Sequence, residues 1–199
     1  MTRQSQAILD FVGANGVTRS CELTAKGFHS QEITRLVQAC ELKRIRRGLY
    51  ALPQHDLTPW HDFAEVSKIA PTAVVSLISA LAFHEIGTQL PYETWITLPA
   101  GAWRPSGIPR LRVIHLSEPY YSAGIEEHVI EGVQVKIYSA AKTVADCFRM
   151  RSKVGYDVAV EALRDGWRGR KFTLADLMSY AKIYRVDKVM RPYIEALIT

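Results

Sequence analysis

Ser30-Gln-Glu-Ile-Thr-Arg-Leu-Val-Gln-Ala-Cys40 and the run after it, Glu41-Leu-Lys-Arg-Ile-Arg-Arg-Gly-Leu-Tyr-Ala-Leu52, decide how the first quarter of this chain is read. In the first stretch Ile33, Leu36, Val37 and Cys40 fall at i, i+3, i+4 and i+7. That is the spacing of a helix that buries one stripe. Gln31, Thr34, Arg35 and Gln38 repeat the spacing further round the axis and are expected to face outward. The second stretch sets Lys43, Arg44, Arg46 and Arg47 just before Gly48, four cations in five positions. Strands at 42–45 and 49–52 would flank Arg47-Gly48, where glycine tolerates the positive φ of a tight turn. Exposed cations this close repel one another by about 1 kcal/mol per pair at about 4 Å in water. The crowding is useful only where an anion comes to meet it.

Working outward, Gln4–Ala14 carries Ile8, Phe11 and Val12 at helical spacing. Thr18 is read as the N-cap of a second helix, Glu22 suits that helix's positive end, and Gly27 supplies a left-handed stop. Ser30 is read as the cap of the third. Three short helices and a two-stranded wing define a winged helix-turn-helix over residues 1–54. In such a module a recognition helix enters the major groove, where Arg reads guanine, Gln reads adenine and Thr meets a thymine edge. The wing cations then lie along phosphate and set affinity more than sequence choice. The expected DNA contacts are Arg19, Gln31, Thr34, Arg35, Gln38, Lys43, Arg44, Arg46 and Arg47.

Charge distribution agrees. The chain has 199 residues and a net charge of +5. Residues 1–55 carry 8 Lys/Arg against 4 Asp/Glu, residues 56–148 carry 6 against 10, and residues 149–199 carry 11 against 6. Basic ends around an acidic middle point to a polyanionic partner. A hydrophobic content of 48% fits a folded soluble chain. No run of 18 apolar residues exists and the N-terminus lacks an apolar signal core, so no membrane partner is expected. Cys21, Cys40 and Cys147 are odd in number and widely spaced, which argues against a disulfide framework and for a cytoplasmic location. All three are read as small buried residues.

Pro53–Pro59 is the one clear linker. Beyond it, over 60–199, the pattern is a mixed α/β C-terminal domain, so the fold class is α+β. Helices are expected at Trp60–Ile69, Leu77–Ile86, Ala140–Met150, Asp157–Asp165, Leu174–Tyr184 and Asp187–Leu197, and strands at Thr94–Leu98, Leu111–Leu116, Glu127–Ile130 and Val133–Tyr138. Glu131-Gly132 reads as the two-residue turn between the last two strands.

No catalytic set emerges. His55-Asp56 and His61-Asp62 flank the linker and are read as surface polar residues, not metal ligands. His84-Glu85 lacks the second histidine of HExxH, and no phosphate loop, GxGxxG or GxSxG elbow is present. Glu131 and Lys136 are weighed as a nuclease pair and set aside, because their spacing puts them on opposite strand faces. Ser139 is read as a cap, and Lys142 with Asp146 as an i,i+4 pair contributing a few tenths of a kcal/mol. Trp95, Trp103 and Trp167 are expected in the core or anchoring loops. Arg149, Arg151, Lys153, Arg164, Arg168, Arg170 and Lys171 form a C-terminal basic block, which reads equally as a second DNA-backbone contact, an RNA contact or a docking face for an acidic partner on one side and as an ordinary solvated surface on the other. No metal and no cofactor is expected.

Leu23-Thr-Ala-Lys-Gly27, Leu36-Val-Gln-Ala-Cys-Glu-Leu42 and Arg46-Arg-Gly-Leu-Tyr-Ala51 resemble the winged-helix domain of AbiEi-type antitoxins of type IV toxin–antitoxin systems. The resemblance extends to Ser79-Ala-Leu-Ala-Phe-His-Glu-Ile86, Thr94-Trp-Ile-Thr-Leu-Pro99 and Ser139-Ala-Ala-Lys-Thr-Val-Ala-Asp146. Cys40 stands where the family often has glycine, and Lys142 where it often has arginine. The resemblance implies a non-enzymatic regulator that represses its own operon by binding inverted repeats in double-stranded promoter DNA, as a monomer or weak dimer pairing on DNA. It also implies a C-terminal domain that counteracts a nucleotidyltransferase toxin without forming a stable complex with it. The alternative is a ligand-responsive winged-helix repressor unrelated to a toxin; a nucleic-acid enzyme is the further rival.

Overall fold

The computed structural model describes residues 2–55 and 57–198, with the side chain at 198 excepted. The protein is α+β, and its elements run α1 (Arg3–Asn15), β1 (Thr18–Arg19), α2 (Ser20–Ala25), α3 (Ser30–Gln38), β2 (Lys43–Arg46), β3 (Leu49–Ala51), α4 (His61–Ile69), β4 (Val74–Val75), α5 (Leu77–Phe83), β5 (Thr94–Pro99), β6 (Leu111–Leu116), β7 (Ile125–Ile130), β8 (Val133–Tyr138), α6 (Ala140–Arg149), α7 (Arg151–Val154), α8 (Tyr156–Arg168), α9 (Leu174–Tyr184) and α10 (Asp187–Ile198). The chain divides into two compact units. One comprises Met1–Pro71 with Val129–Val135, the other Thr72–His128 with Lys136–Thr199. The linker at 53–59 therefore does not end the first unit, which also takes in α4 and the turn after β7.

In the first unit, Ile8 and Val12 of α1, Leu23 of α2, Ile33 and Leu36 of α3, and Leu42 form one apolar core. Burying each such side chain stabilises by about 1.5–3 kcal/mol. Phe11 packs edge-on against Phe28 at 6.0 Å. Thr2 caps α1 by accepting from the Ser5 N–H at 3.1 Å. A three-stranded antiparallel sheet has the order β1-β3-β2. Its third strand corrects the reading of Thr18 as a helix cap. Thr18 is buried and pairs with Tyr50, so α2 begins only at Ser20. Ser30 likewise opens α3 from inside, with His29 at the N-cap. Cys40 is not the last residue of a buried stripe: α3 stops at Gln38, and Cys40 turns out to solvent with φ of +58°. Cys21 is exposed too, leaving Cys147 as the buried thiol.

The five-stranded sheet has the order β6-β5-β4-β8-β7. β4 runs antiparallel to β5 and parallel to β8, and β5 runs parallel to β6. In the second unit the apolar core joins Leu77, Leu81, Trp95, Val144, Phe148, Ala159, Leu163, Leu177, Ala181 and Met190 from α5, β5, α6, α8, α9 and α10. Residues 140–148 of α6 are buried on every side, the pattern of a helix at the centre of a fold. Trp103 departs from expectation. It is 95% exposed and anchors nothing. Among the described residues, no helix is long and apolar enough to cross a membrane.

Candidate nucleic-acid interface and buried polar clusters

Gln31, Thr34, Arg35 and Gln38 are exposed on α3 while Ile33 and Leu36 are buried, so the two stripes separate as the periodicity requires. Two of the outward residues carry local bonds. The Thr34 hydroxyl donates to the Ser30 carbonyl at 3.0 Å. Arg35 Nη2 meets Glu32 Oε2 at 2.8 Å and donates to Ser5 Oγ at 2.8 Å. Arg35 is thus tethered to α1 although its side chain remains 53% exposed.

β2 and β3 join through Arg47-Gly48, with Gly48 at φ +77° and a register shift between Arg44 and Arg46. Lys43, Arg44 and Arg47 are exposed. Arg46 is half-buried, its side chain 28% exposed, and its Nε donates to Glu65 Oε2 at 2.7 Å, a carboxylate whose side chain is 3% exposed. A buried carboxylate stripped of its partner is costly, so Arg46 is committed to α4. Arg19 is half-buried, and its backbone N–H donates to Glu22 Oε2 at 2.6 Å. Lys68 Nζ closes on Glu22 Oε1 at 2.8 Å.

His55 and His61 are not independent surface residues. His55 Nε2 lies 2.9 Å and His61 Nδ1 2.7 Å from Glu131 Oε2. Thr58 donates its N–H at 2.7 Å and its hydroxyl at 2.9 Å to the other oxygen, Glu131 Oε1. Asp56 lies outside the described residues. Burial pushes the Glu131 carboxyl up, but the donations from His61, the Thr58 N–H, His55 and the Thr58 hydroxyl prevail and hold it at about 2. The ligand atoms of His55, His61 and Glu131 lie within 4.8 Å of one another, a set able to hold a metal ion. From the sequence the two histidines are weighed as ligands and set aside, and Glu131 is not joined to them. Sequence separations of 70 and 76 residues hid the contact. Lys136, weighed with Glu131 as a catalytic pair, lies on β8.

In the second unit, Lys142 and Asp146 are no surface pair, and the expectation of a few tenths of a kcal/mol fails. Their side chains are 0% and 5% exposed, and Lys142 Nζ sits 3.0 and 2.8 Å from the two Asp146 oxygens. It also donates to the Tyr184 hydroxyl and lies 3.7 Å from the centre of the Tyr138 ring, a desolvated cation–π contact. Burial lowers the Lys142 ammonium and raises the Asp146 carboxyl, each opposed by the other's charge. Burial also pushes the Tyr138, Tyr184 and Cys147 groups up. Through Lys142 and Tyr184 the buried cluster holds α6 to α9. Ser139 caps α6, accepting from the Lys142 N–H at 3.4 Å.

Arg149, Arg151, Lys153, Arg164, Arg168, Arg170 and Lys171 are all exposed. Arg151 Nη1 donates to the Phe148 carbonyl at 2.9 Å, and Lys171 pairs with Glu85 at 3.2 Å. Arg168, Arg170 and Lys171 border an open cleft of about 980 Å³ with Trp167 and Phe172.

No family model matches this chain, and no curated protein does. Its fold is similar to the crystal structure of the RV2827C protein from Mycobacterium tuberculosis, with a TM-score of 0.59 and 13% identity over 92% of this chain and 72% of that one.

Proposed function

We propose that the first unit is a winged helix-turn-helix that binds double-stranded promoter DNA, and that the protein is a transcriptional repressor and antitoxin of the AbiEi type. The observation that carries the DNA reading is the joint exposure, within that unit, of Gln31, Thr34, Arg35 and Gln38 on α3 and of Lys43, Arg44 and Arg47 on the β2–β3 hairpin. α3 enters the major groove and the hairpin lies along phosphate. Arg35 exchanges its hydroxyl partners on α1 for a guanine edge. Arg46 contributes by fixing the hairpin to α4 and makes no phosphate contact of its own. The antitoxin half rests on the sequence resemblance: the protein counteracts a nucleotidyltransferase toxin in the cytoplasm without a stable complex, with no catalysis and no cofactor. It pairs as a monomer or weak dimer on inverted repeats.

Fluorescence anisotropy with the native upstream duplex tests the DNA half. Three neutralised phosphates give a log–log salt slope of roughly −2.7. No binding at low ionic strength would overturn it. Co-expression with a nucleotidyltransferase encoded beside this chain tests the other half, with rescue of growth expected and continued arrest refuting it.

A second reading, a ligand-responsive repressor, is favoured by the cleft beside Trp167 and Phe172. Release from the operator by a small anionic aromatic compound, with no effect on a toxin, would select it.

A further inference from the structure

The geometry points to a divalent-cation site, suited above all to zinc, formed by His55 Nε2, His61 Nδ1 and Glu131 Oε2 within the first unit. Two imidazoles and one carboxylate are the donor set of a borderline-soft ion that takes three protein ligands and one water. The three ligands come from separate segments: the linker, the first turn of α4, and the turn between β7 and β8.

Three observations besides their proximity carry the assignment. First, the Glu131 side chain is 1% exposed and meets the two histidines. Among the described residues no lysine or arginine pairs with it. The four donations from His55, His61 and Thr58 keep the carboxylate ionised, yet neither imidazole is a permanent cation, so a full negative charge is held here ready for a dication. Second, both Thr58 donations go to Oε1, which turns Oε2 towards the two imidazoles as a single inward ligand atom. Third, the far nitrogen of His61, Nε2, faces Glu65 Oε1 at 3.5 Å. Metal-bound histidines characteristically back onto a carboxylate in this way. The His55 and His61 side chains are 17% and 19% exposed, so water reaches the fourth position.

The distances of 2.9 and 2.7 Å from Oε2 are hydrogen-bond lengths. Ligand atoms around tetrahedral zinc with bonds of about 2.0–2.1 Å lie roughly 3.3 Å apart. Entry of the ion therefore lengthens each of those two separations by about half an ångström and replaces the two N–H donations. Each neutral imidazole then carries its proton on the outer nitrogen. For His61 that is Nε2, which tightens its bond to Glu65, the same carboxylate that holds Arg46. Metal uptake is thus linked to the base of the β2–β3 hairpin, yet it is measured without DNA and stands apart from the DNA reading.

The test is isothermal titration of tag-free, EDTA-treated full-length protein with zinc chloride. One site per chain with a micromolar or tighter dissociation constant is expected. Zinc should also raise the melting temperature by several degrees, and cobalt(II) should give the visible absorption of a four-coordinate centre. His55→Ala and His61→Gln should each weaken uptake at least tenfold, while His29→Ala, on an exposed residue elsewhere, should leave it unchanged. Should the ligand variants misfold, nitrogen-15 spectra of the wild-type imidazoles decide: zinc must shift His55 and His61 and spare the other histidines. Absence of stoichiometric binding at 1 mM zinc, or uptake indifferent to both substitutions, overturns the assignment.

Discussion

Replacing Asp146 by alanine removes the carboxylate that faces Lys142 Nζ at 2.8 Å and leaves the ammonium in a side chain that is 0% exposed. Breaking a buried pair from one side costs about 3–5 kcal/mol, because the surviving charge has lost its partner. The protein can cap that loss by releasing the proton. A lysine with an ordinary value of about 10.4 is neutralised at pH 7 for about 4.6 kcal/mol, so the penalty should lie between about 3 and 4.6 kcal/mol. With a urea dependence of about 2 kcal/mol per M, the midpoint should fall by roughly 2 M. The pH dependence carries the diagnosis. In the variant, the folded-state value of Lys142 is depressed below the unfolded one, so the unfolded chain binds more protons between the two. The gap to wild type should therefore close as pH rises from 7 towards 10, by at most about 1.4 kcal/mol per unit. Urea melts followed by circular dichroism at pH 7, 8, 9 and 10 read both effects. A penalty below about 1 kcal/mol at pH 7, or one that stays constant to pH 10, would refute the account of Lys142 as a buried, partnered charge. A Lys142→Met/Asp146→Leu double variant should regain most of the loss, since an apolar pair needs no compensation.

The β2–β3 hairpin makes a sharper division than charge counting suggests. Arg47→Ala should flatten the salt slope of DNA binding from about −2.7 towards roughly −1.8. Arg46→Ala should leave that slope in place and lower stability by about 1–3 kcal/mol, through the abandoned Glu65 carboxylate; equal effects on the slope would refute the assignment. Gly16→Ala should unfold or severely destabilise the first unit, since its Cβ would stand 1.7 Å from the Glu131 carbonyl oxygen, whereas Gly27→Ala meets nothing within 4 Å and should cost about 1–2 kcal/mol. Thermal melts compare the two, and a similar loss at both positions would contradict the close approach. Trp103→Ala should change stability by no more than about 0.5 kcal/mol, read from urea melts, while removing the tryptophan emission most accessible to iodide.

Local pattern was the legible part of this chain. The amphipathic stripe of α3, the Arg47-Gly48 turn, and the limits of β6, β8 and α9 follow from residues close together in sequence. What escaped was set by partners far along the chain. β1 and β4 have two residues each, too short for any alternation, and exist because β3 and β5 supply their hydrogen bonds. Arg46 has the same residue type as its neighbours in the β2–β3 hairpin, and Glu65, 19 positions on, sets it apart. Lys142 and Asp146 look like a solvated pair until α6 is seen to be enclosed on all sides. His55 and His61 acquire meaning only when Glu131 arrives between them. Trp103 shows the reverse error, because its apolar character suggested burial that no neighbour provides.

The first unit is discontinuous in sequence: it needs 129–135 as well as its opening 71 residues. A ribosome working at roughly 5–20 residues per second exposes the opening segment several seconds before the turn bearing Glu131 is even synthesised. Until then His55, His61 and Thr58 lack their common acceptor, and Gly16 lacks the backbone it packs against. A nascent chain stalled or cleaved before the turn would hold the opening 71 residues without the segment that completes their unit.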